Sequence, residues 1–219
     1  STDRRITTFG GICGILAIVF LGGVALQQIS GWFPEYDLEA GTMTNWLESV
    51  SSNSSMAMSG IGLSVLAILM FLPFGWSLYN NLKSDAWLPE ASLLSYIFGS
   101  TLALAAFTFG FGFTWAMIDL SSTTDSSTLV DTATMGMRGF LFADDVATFL
   151  IGLGHLFAAL DALPSGFLPK WVCWWGIIAG ILVAVVLLRY IISFFSFAVI
   201  GYPLLILWFF LVGIILLKK

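Results

Sequence analysis

The sequence predicts an all-α polytopic membrane protein, a bundle of about six transmembrane helices with both termini in the cytoplasm. Three observations lead to this fold class. Hydrophobic residues make up 58% of the chain and charged residues only 10%, which is too little charge to cover a soluble domain. Apolar runs long enough to span a bilayer recur along the chain. These runs do not alternate with a period of two, so helices are favoured over a membrane barrel.

Six segments reach the roughly 20 mainly apolar residues that a spanning helix needs. They cover approximately residues 9–28, 56–79, 91–118, 138–163, 171–193 and 194–217. The last boundary, at Ser193–Phe194, depends on few signals, because only Arg189, Gly201 and Pro203 interrupt the apolar run. One long tilted helix is the alternative there, although two spans fit the length better.

The distribution of basic residues places both termini on the cytoplasmic side. Six basic residues fall at one end of the predicted spans: Arg4, Arg5, Lys83, Lys170, Lys218 and Lys219. Only Arg138 and Arg189 fall near the other end. We therefore predict one transmembrane domain over residues 1–219, with extracytoplasmic loops at about 30–55 and 119–137.

The two outer loops differ in composition. The first contains Trp32, Tyr36 and Trp46 among acidic residues, and aromatic side chains prefer the membrane interface. We expect these three residues to form an extracytoplasmic contact surface. The second loop is rich in Ser, Thr and Asp, so we expect it to be irregular and exposed.

The fourth span carries the polar residues that are most informative about function. At about 100° per residue, Asp144, Thr148 and His155 fall on one helical face, whereas Asp145 and Asp161 point elsewhere. Ionisable residues at this depth need a partner or water. Arg189, on the antiparallel fifth span, reaches the depth of the two aspartates. The candidate buried polar site comprises Asp144, Asp145, Thr148, His155 and Arg189, either as an ion-pair clamp or as a substrate or ion site.

Catalytic, cofactor and metal signatures are not found in the sequence. His155 is the only histidine; it could be a packing residue, a proton carrier or a ligand, but it cannot form a bis-histidine haem site alone. Cys13 and Cys173 lie near cytoplasmic span ends, where a disulfide is not expected, and two cysteines make no metal site. We expect no catalytic residues, no cofactor and no metal.

Two G-x-x-x-G spacings suggest close helix contacts. They are Gly10 with Gly14 and Gly176 with Gly180, and such spacings allow helix backbones to approach. We interpret these faces as contact surfaces for other membrane proteins or for self-association. Membrane lipids are the other expected partners. The net charge of −5 argues against nucleic-acid binding, which needs a basic surface.

The second half of the chain resembles a known family. Residues 152–157 read GLGHLF, residues 165–172 read SGFLPKWV and residues 175–180 read WGIIAG. This pattern, followed by GYPLLILWFFLVG from Gly201, is similar to the DUF4386 family of small bacterial and archaeal membrane proteins. The similarity covers about residues 150–217. That family's last helix often carries an acid before its Trp, where this chain has Leu204–Leu207. The resemblance implies a helical bundle in a prokaryotic inner or plasma membrane and implies no activity.

These observations favour a non-enzymatic integral membrane protein that acts as an accessory or partner-binding subunit of a membrane assembly. The alternative is a small transporter, sensor or lipophile-binding bundle that uses Asp144, Asp145, His155 and Arg189. An intramembrane enzyme is disfavoured by the single histidine.

The predicted topology is testable by cysteine labelling in intact cells. In a variant without Cys13 and Cys173, we expect a membrane-impermeant maleimide to modify Asp125→Cys but not Asp85→Cys, because residue 125 lies in a predicted outer loop. Permeabilised cells should show labelling at both positions. The reverse pattern in intact cells would contradict the orientation.

Overall fold

The fold is all-α, as predicted. The computed structural model describes residues 4–33, 40–82, 87–121, 126–190, 192 and 200–219, without the side chains of residues 40, 41, 126, 189 and 190. Of this part of the chain, 91% is helical and none is strand. The helices are α1 (Arg4–Leu16), α2 (Val19–Ile29), α3 (Ala40–Ser52), α4 (Ser54–Leu82), α5 (Leu88–Leu120), α6 (Ser126–Ser165), α7 (Lys170–Ala184), a 3₁₀ helix (Val186–Tyr190) and α8 (Gly201–Leu217).

Five helical segments within the described ranges are long and apolar enough to cross a membrane. They are Arg4–Ile29, Ser54–Leu82, Leu88–Leu120, Ser127–Ser165 and Lys170–Leu188. These segments are compatible with the predicted multi-pass membrane protein. Helix α8 is also apolar but has only 17 residues, about 25 Å at 1.5 Å per residue. The count of six spans therefore stays a prediction.

The predicted outer loops contain more helix than expected. The expectation of an irregular segment over residues 119–137 is wrong for its described part, because α5 continues to Leu120 and α6 begins at Ser126 instead of Arg138. Val130, Ala133 and Met137 are buried, and their helical spacing outweighs the local Ser, Thr and Asp content. The loop predicted at 30–55 contains α3, whose buried stripe is Met43, Trp46 and Val50.

The end of the chain is divided differently from the prediction. Helix α7 ends at Ala184, the 3₁₀ helix continues to Tyr190, and α8 begins at Gly201. The predicted boundary at Ser193–Phe194 lies outside the described residues. Pro203 lies in the first turn of α8, a position that tolerates proline because its missing N–H would have no intrahelical partner.

The chain divides into two compact units. Unit 1 comprises Ser1–Ile18, Ala67–Ala103 and Asp145–Lys219, and unit 2 comprises Val19–Leu66 and Leu104–Asp144. Helices α4, α5 and α6 contribute residues to both units.

Helices α7 and α8 of unit 1 are antiparallel and joined by two indole hydrogen bonds. Trp175 Nε1 donates to the Leu204 carbonyl at 3.0 Å, and Trp208 Nε1 donates to the Val172 carbonyl at 2.9 Å. Later residues of one helix therefore contact earlier residues of the other. The end of α8 and the beginning of α7 lie at the same end of unit 1.

Helix α1 is also antiparallel to α8. A Cβ placed on Gly11 would lie 3.0 Å from the Gly213 carbonyl oxygen, and one on Gly14 would lie 2.8 Å from the Phe209 carbonyl oxygen. Because Gly11 lies against Gly213 and Gly14 lies against Phe209, the beginning of α1 lies beside the end of α8. The described basic residues of unit 1 at this end are Arg4, Arg5, Lys170, Lys218 and Lys219.

Glycine-to-glycine contacts bring three helix pairs together. In each pair, a Cβ on either glycine would come within 3.2 Å of the carbonyl oxygen of the other. The pairs are Gly11–Gly213 and Gly152–Gly180 in unit 1 and Gly23–Gly60 in unit 2. Such contacts are closer than any side chain would permit, so they fix the distance between the helix backbones.

The four glycines of the predicted G-x-x-x-G spacings contact helices of the same chain. A Cβ on Gly10 would overlap Ser77, one on Gly14 would meet Phe74, one on Gly176 would meet Trp208, and one on Gly180 would meet Gly152. All four are therefore helix contacts, but their buried faces are occupied within unit 1. This corrects the interpretation that these faces are open to a partner.

The core of unit 2 contains two tryptophans that were predicted to form an outer contact surface. Trp32 is 0% exposed and Trp46 is 3% exposed. Trp32 Nε1 donates to Thr114 Oγ1 at 2.7 Å, and Trp46 Nε1 donates to the Trp32 carbonyl at 2.7 Å. Their burial contradicts the predicted surface, since each indole N–H finds a partner inside unit 2. Tyr36 lies outside the described residues.

The Gly23–Gly60 contact can be tested with neighbouring glycines of α2. Gly23→Ala should lower the free energy of unfolding by about 1–3 kcal/mol, because its Cβ would meet the α4 backbone. Gly22→Ala is the matched control, since no atom lies within 4 Å of its Cβ, and should be neutral or stabilising by up to about 1 kcal/mol. Denaturation in mixed detergent micelles measures both. Equal effects of the two substitutions would contradict the close contact.

Candidate functional site

The predicted polar residues of α6 fall on both sides of the boundary between the two units. Asp144 is the last residue of unit 2, whereas Asp145, Thr148 and His155 belong to unit 1. Within unit 1, Asp145 is 1% exposed, Thr148 8% and His155 0%. Asp145 is therefore a core residue of unit 1, although helical periodicity placed it away from the predicted face. The side chain of Arg189 lies outside the described part, so its pairing with Asp144 or Asp145 stays a prediction.

Asp145 accepts a hydrogen bond from a residue that the sequence did not single out. Tyr202 Oη, in the first turn of α8, donates to Asp145 Oδ1 at 2.7 Å. Losing a hydrogen bond to a buried polar group is costly, because the group is then left unsatisfied. It links α6 to α8 within unit 1. The sequence signal was available, since Tyr202 is a polar group beside Pro203 in an otherwise apolar run.

The second polar pair of unit 1 joins His155 to Tyr96 of α5. Tyr96 Oη lies 3.1 Å from His155 Nδ1, and the same nitrogen lies 2.9 Å from the Ile151 carbonyl oxygen. Both side chains are 0% exposed. Tyr96 was missed because a single tyrosine in an apolar span is equally typical of an interfacial anchor.

The tautomer of His155 decides which of these two contacts is a hydrogen bond. A neutral ring nitrogen either donates or accepts. With hydrogen on Nδ1, the ring donates to the Ile151 carbonyl; with hydrogen on Nε2, Tyr96 donates to Nδ1. The Leu205 carbonyl lies near the ring, although Nε2 makes no hydrogen bond within the described residues.

Aromatic rings enclose the histidine. The ring centroids of Trp208 and Phe209 lie 4.6 Å and 4.5 Å from that of His155. Tyr96 and Phe74 stand edge to face, with centroids 6.2 Å apart. These distances are typical of favourable aromatic packing. His155 is therefore sealed among rings, where a protonated imidazole would lose its hydration.

This arrangement supports a packing role for His155 better than a catalytic role. A general base must reach a substrate proton directly or through one water, and His155 is fully buried. Among the described residues, no group of three or more His, Cys, Asp and Glu side chains could hold a metal ion. Cys13 and Cys173 are both buried free thiols, and they fill small gaps in unit 1.

Unit 2 has a polar contact of its own. Gln27 Nε2 donates to Ser64 Oγ at 2.9 Å, beside the Gly23–Gly60 contact. Gln27 is 0% exposed, and its Oε1 has no hydrogen-bond partner within the described residues. Polar bonds between helices contribute modestly in a membrane, about 0.6 kcal/mol on average. The sequence does not distinguish Gln27 from an interfacial residue, because Gln27 lies at the very end of the first predicted span.

No protein-family model, no curated protein and no solved structure matches this chain. The class that the geometry itself defines is an all-α bundle of apolar helices. The resemblance of residues 150–217 to the DUF4386 family stays a prediction.

The link between Tyr96 and His155 can be measured by a double-mutant cycle. Tyr96→Phe should lower the free energy of unfolding by about 1 kcal/mol, because it removes a buried hydrogen bond and keeps the ring. In a His155→Leu background the same change should have little effect. Tyr79→Phe is the control, on a partly exposed tyrosine of α4. Additive effects at positions 96 and 155 would show that the two side chains are not coupled.

Proposed function

We propose that the chain is a non-enzymatic integral membrane protein that acts by binding other membrane proteins, as an accessory or partner-binding subunit. The observation that supports this most is the burial of His155 among aromatic rings. Tyr96 and the Ile151 carbonyl already contact its Nδ1, and His155 is fully buried, so its imidazole is not reachable by a substrate. Function is then left to the outer surface.

The outer surface of both units carries large apolar side chains. Among them are Trp76 and Phe98 in unit 1 and Phe109 and Trp115 in unit 2, exposed by 49%, 62%, 51% and 64%. In a membrane such residues contact lipid or a partner helix. Helix association in lipid depends on close packing and not on hydrophobic burial, so partner binding needs complementary shape at these faces.

We further propose six spans, with both ends of the chain in the cytoplasm of a prokaryotic cell. The clustering of Arg4, Arg5, Lys170, Lys218 and Lys219 at one end of unit 1 supports this orientation, because basic residues are retained on the cytoplasmic side. Membership of a DUF4386-like group is proposed on the residue pattern of 150–217 alone.

The alternative function is a small transporter, sensor or lipophile-binding bundle. One observation favours it: Asp145 is a nearly fully buried carboxylate in an apolar helix, and ionisable groups at membrane depth are costly and often functional. For this alternative, Tyr202 would hold Asp145 in place, and His155 and Arg189 of unit 1 would complete the site.

Site-specific photo-cross-linking in the native membrane separates these functions. A photoreactive phenylalanine at Phe98 or Phe109, both exposed, should yield an adduct with another membrane protein or a second copy. The same residue at Phe74 or Phe140, both 0% exposed, is the matched control and should yield no intermolecular adduct.

Native mass spectrometry of the full chain in mild detergent completes this test. A mass above that of the monomer supports the partner-binding proposal. A strict monomer that retains a small molecule, and releases it in Asp145→Asn, would instead establish the alternative. A strict monomer without cross-links or ligand would contradict both.

A further inference from the structure

The outer face of α7 has an apolar groove at the basic end of unit 1. Its volume is about 500 Å³, within the usual range for ligand pockets. The lining residues are Trp171, Trp174, Trp175, Ile178 and Leu204. Trp171 and Trp174 are 57% and 56% exposed, so their rings form open walls. From Trp171 to Ile178 the groove follows α7 for about 10 Å.

Three lysines lie at the end of unit 1 where this groove begins. Lys170 directly precedes Trp171 and begins α7. Lys219 Nζ donates to the Phe167 carbonyl at 2.7 Å and lies 3.6 Å from the centre of the Phe167 ring, three residues before Lys170 in the chain. Lys218 is its exposed neighbour. Within the described ranges, none of the three ammonium groups forms a salt bridge with a carboxylate.

An anion would stabilise the charge of the Lys219 ammonium group. Desolvation lowers the pKa of its ammonium group, because the carbonyl and ring of Phe167 do not fully replace water. A phosphate within reach would restore stabilisation of the charged form. The N-terminus of α7 adds a helix dipole that favours an anion. Its N-cap, Pro169, provides no side-chain hydrogen bond to the first N–H groups of the helix.

We propose that this groove binds one anionic glycerophospholipid, with its phosphate at Lys170, Lys218 and Lys219 and one acyl chain along Trp171 and Trp174. Basic residues beside transmembrane helices attract anionic headgroups, and tryptophan rings prefer the depth at which headgroup and chain meet. Both features lie at the same end of unit 1. The proposal does not depend on whether the chain also binds a partner protein.

The positive charge at this end of unit 1 favours an anionic lipid over a neutral one. Arg4 and Arg5 are also exposed at the same end of unit 1, where the described acids are Glu90 and Asp161. Unit 2 has a comparable groove of about 350 Å³ that contains Trp115, but an acidic residue, Asp119, lines it. A neutral lipid would suit both grooves, whereas an anionic lipid suits only the one beside α7.

Quenching of tryptophan fluorescence by brominated acyl chains tests the proposal on the full chain in vesicles. The probes are brominated phosphatidylglycerol and brominated phosphatidylcholine, each mixed with unbrominated phosphatidylcholine. The difference between the native chain and Trp174→Phe isolates the groove of α7, and Trp115→Phe isolates the groove of unit 2. We expect Trp174 to be quenched more strongly by phosphatidylglycerol, and Trp115 to show no such preference.

Replacing the lysines should remove the preference for phosphatidylglycerol, while lipid should still quench the tryptophan fluorescence. A juxtamembrane lysine contributes about 1 kcal/mol to binding of an anionic surface, which corresponds to about a fivefold change in relative affinity. Lys170→Gln or Lys218→Gln should each lower the preference for phosphatidylglycerol about fivefold, and the triple variant with Lys219→Gln should abolish it. Arg138→Gln, in unit 2, controls for loss of a positive charge elsewhere. Unchanged thermal unfolding confirms that these exposed variants fold.

Three outcomes would overturn the proposal. Equal quenching of Trp174 by both lipids would show an ordinary lipid-facing surface. Absence of quenching by either lipid would show that a protein partner or a second copy covers the groove. A preference that survives the triple lysine variant would place the anionic site elsewhere.

Discussion

Direct contact between helix backbones at glycine is the constraint on which the rest of this structure depends. In hydrocarbon, helices gain little from burying apolar side chains against one another, because lipid is equally apolar. What favours association is dispersion and shape, and both increase as backbones approach. The reciprocal pairs Gly11–Gly213 and Gly152–Gly180 bring α1 to α8 and α6 to α7 in unit 1. Larger neighbours can then interdigitate around these contacts.

The polar contacts of unit 1 follow from that packing. With Gly99 of α5 against the α6 backbone and Gly201 of α8 against the α7 backbone, Tyr96 and Tyr202 can reach α6. Each tyrosine places a hydroxyl beside a polar group that would otherwise be costly in an apolar interior. The same side chains therefore add stability and register, because a helix shifted by one turn would lose both contacts. This accounts for polar residues at depth without a ligand.

The sequence predicted the class of fold well and the details of the site less well. Composition and apolar runs were sufficient for an all-α bundle with helices of spanning length. Helical periodicity assigned Asp144, not Asp145, to the inner face, because it ignores which neighbours surround α6. The partners Tyr96 and Tyr202 were not foreseen, since side-chain pairing between helices depends on their register. Trp32 and Trp46 were expected at an interface, but the indole N–H of each could be satisfied inside unit 2.

Such local patterns also misjudged the small residues. A G-x-x-x-G spacing identifies a helix face that can be approached closely, but not whether the approaching helix belongs to the same chain. Gly10 and Gly14 meet α4 and α8 of their own unit. The serine and threonine content of residues 126–137 likewise predicted a loop, whereas the burial of Val130 and Met137 stabilises a helix there. In both cases long-range contacts outweighed local preference.

Because His155 is sealed in the core, hydrogen exchange of its imidazole N–H reports the opening of unit 1. An imidazole N–H exchanges quickly with solvent only when solvent can reach it, and the rings of Trp208 and Phe209 prevent this in the closed bundle. Exchange must therefore wait for the helices to separate, so its rate reports how often they do so. Because the chain contains one histidine, the ring resonance is assigned by its identity alone. His155, the residue most typical of a reactive centre in the sequence, is therefore a natural reporter of helix separation in unit 1.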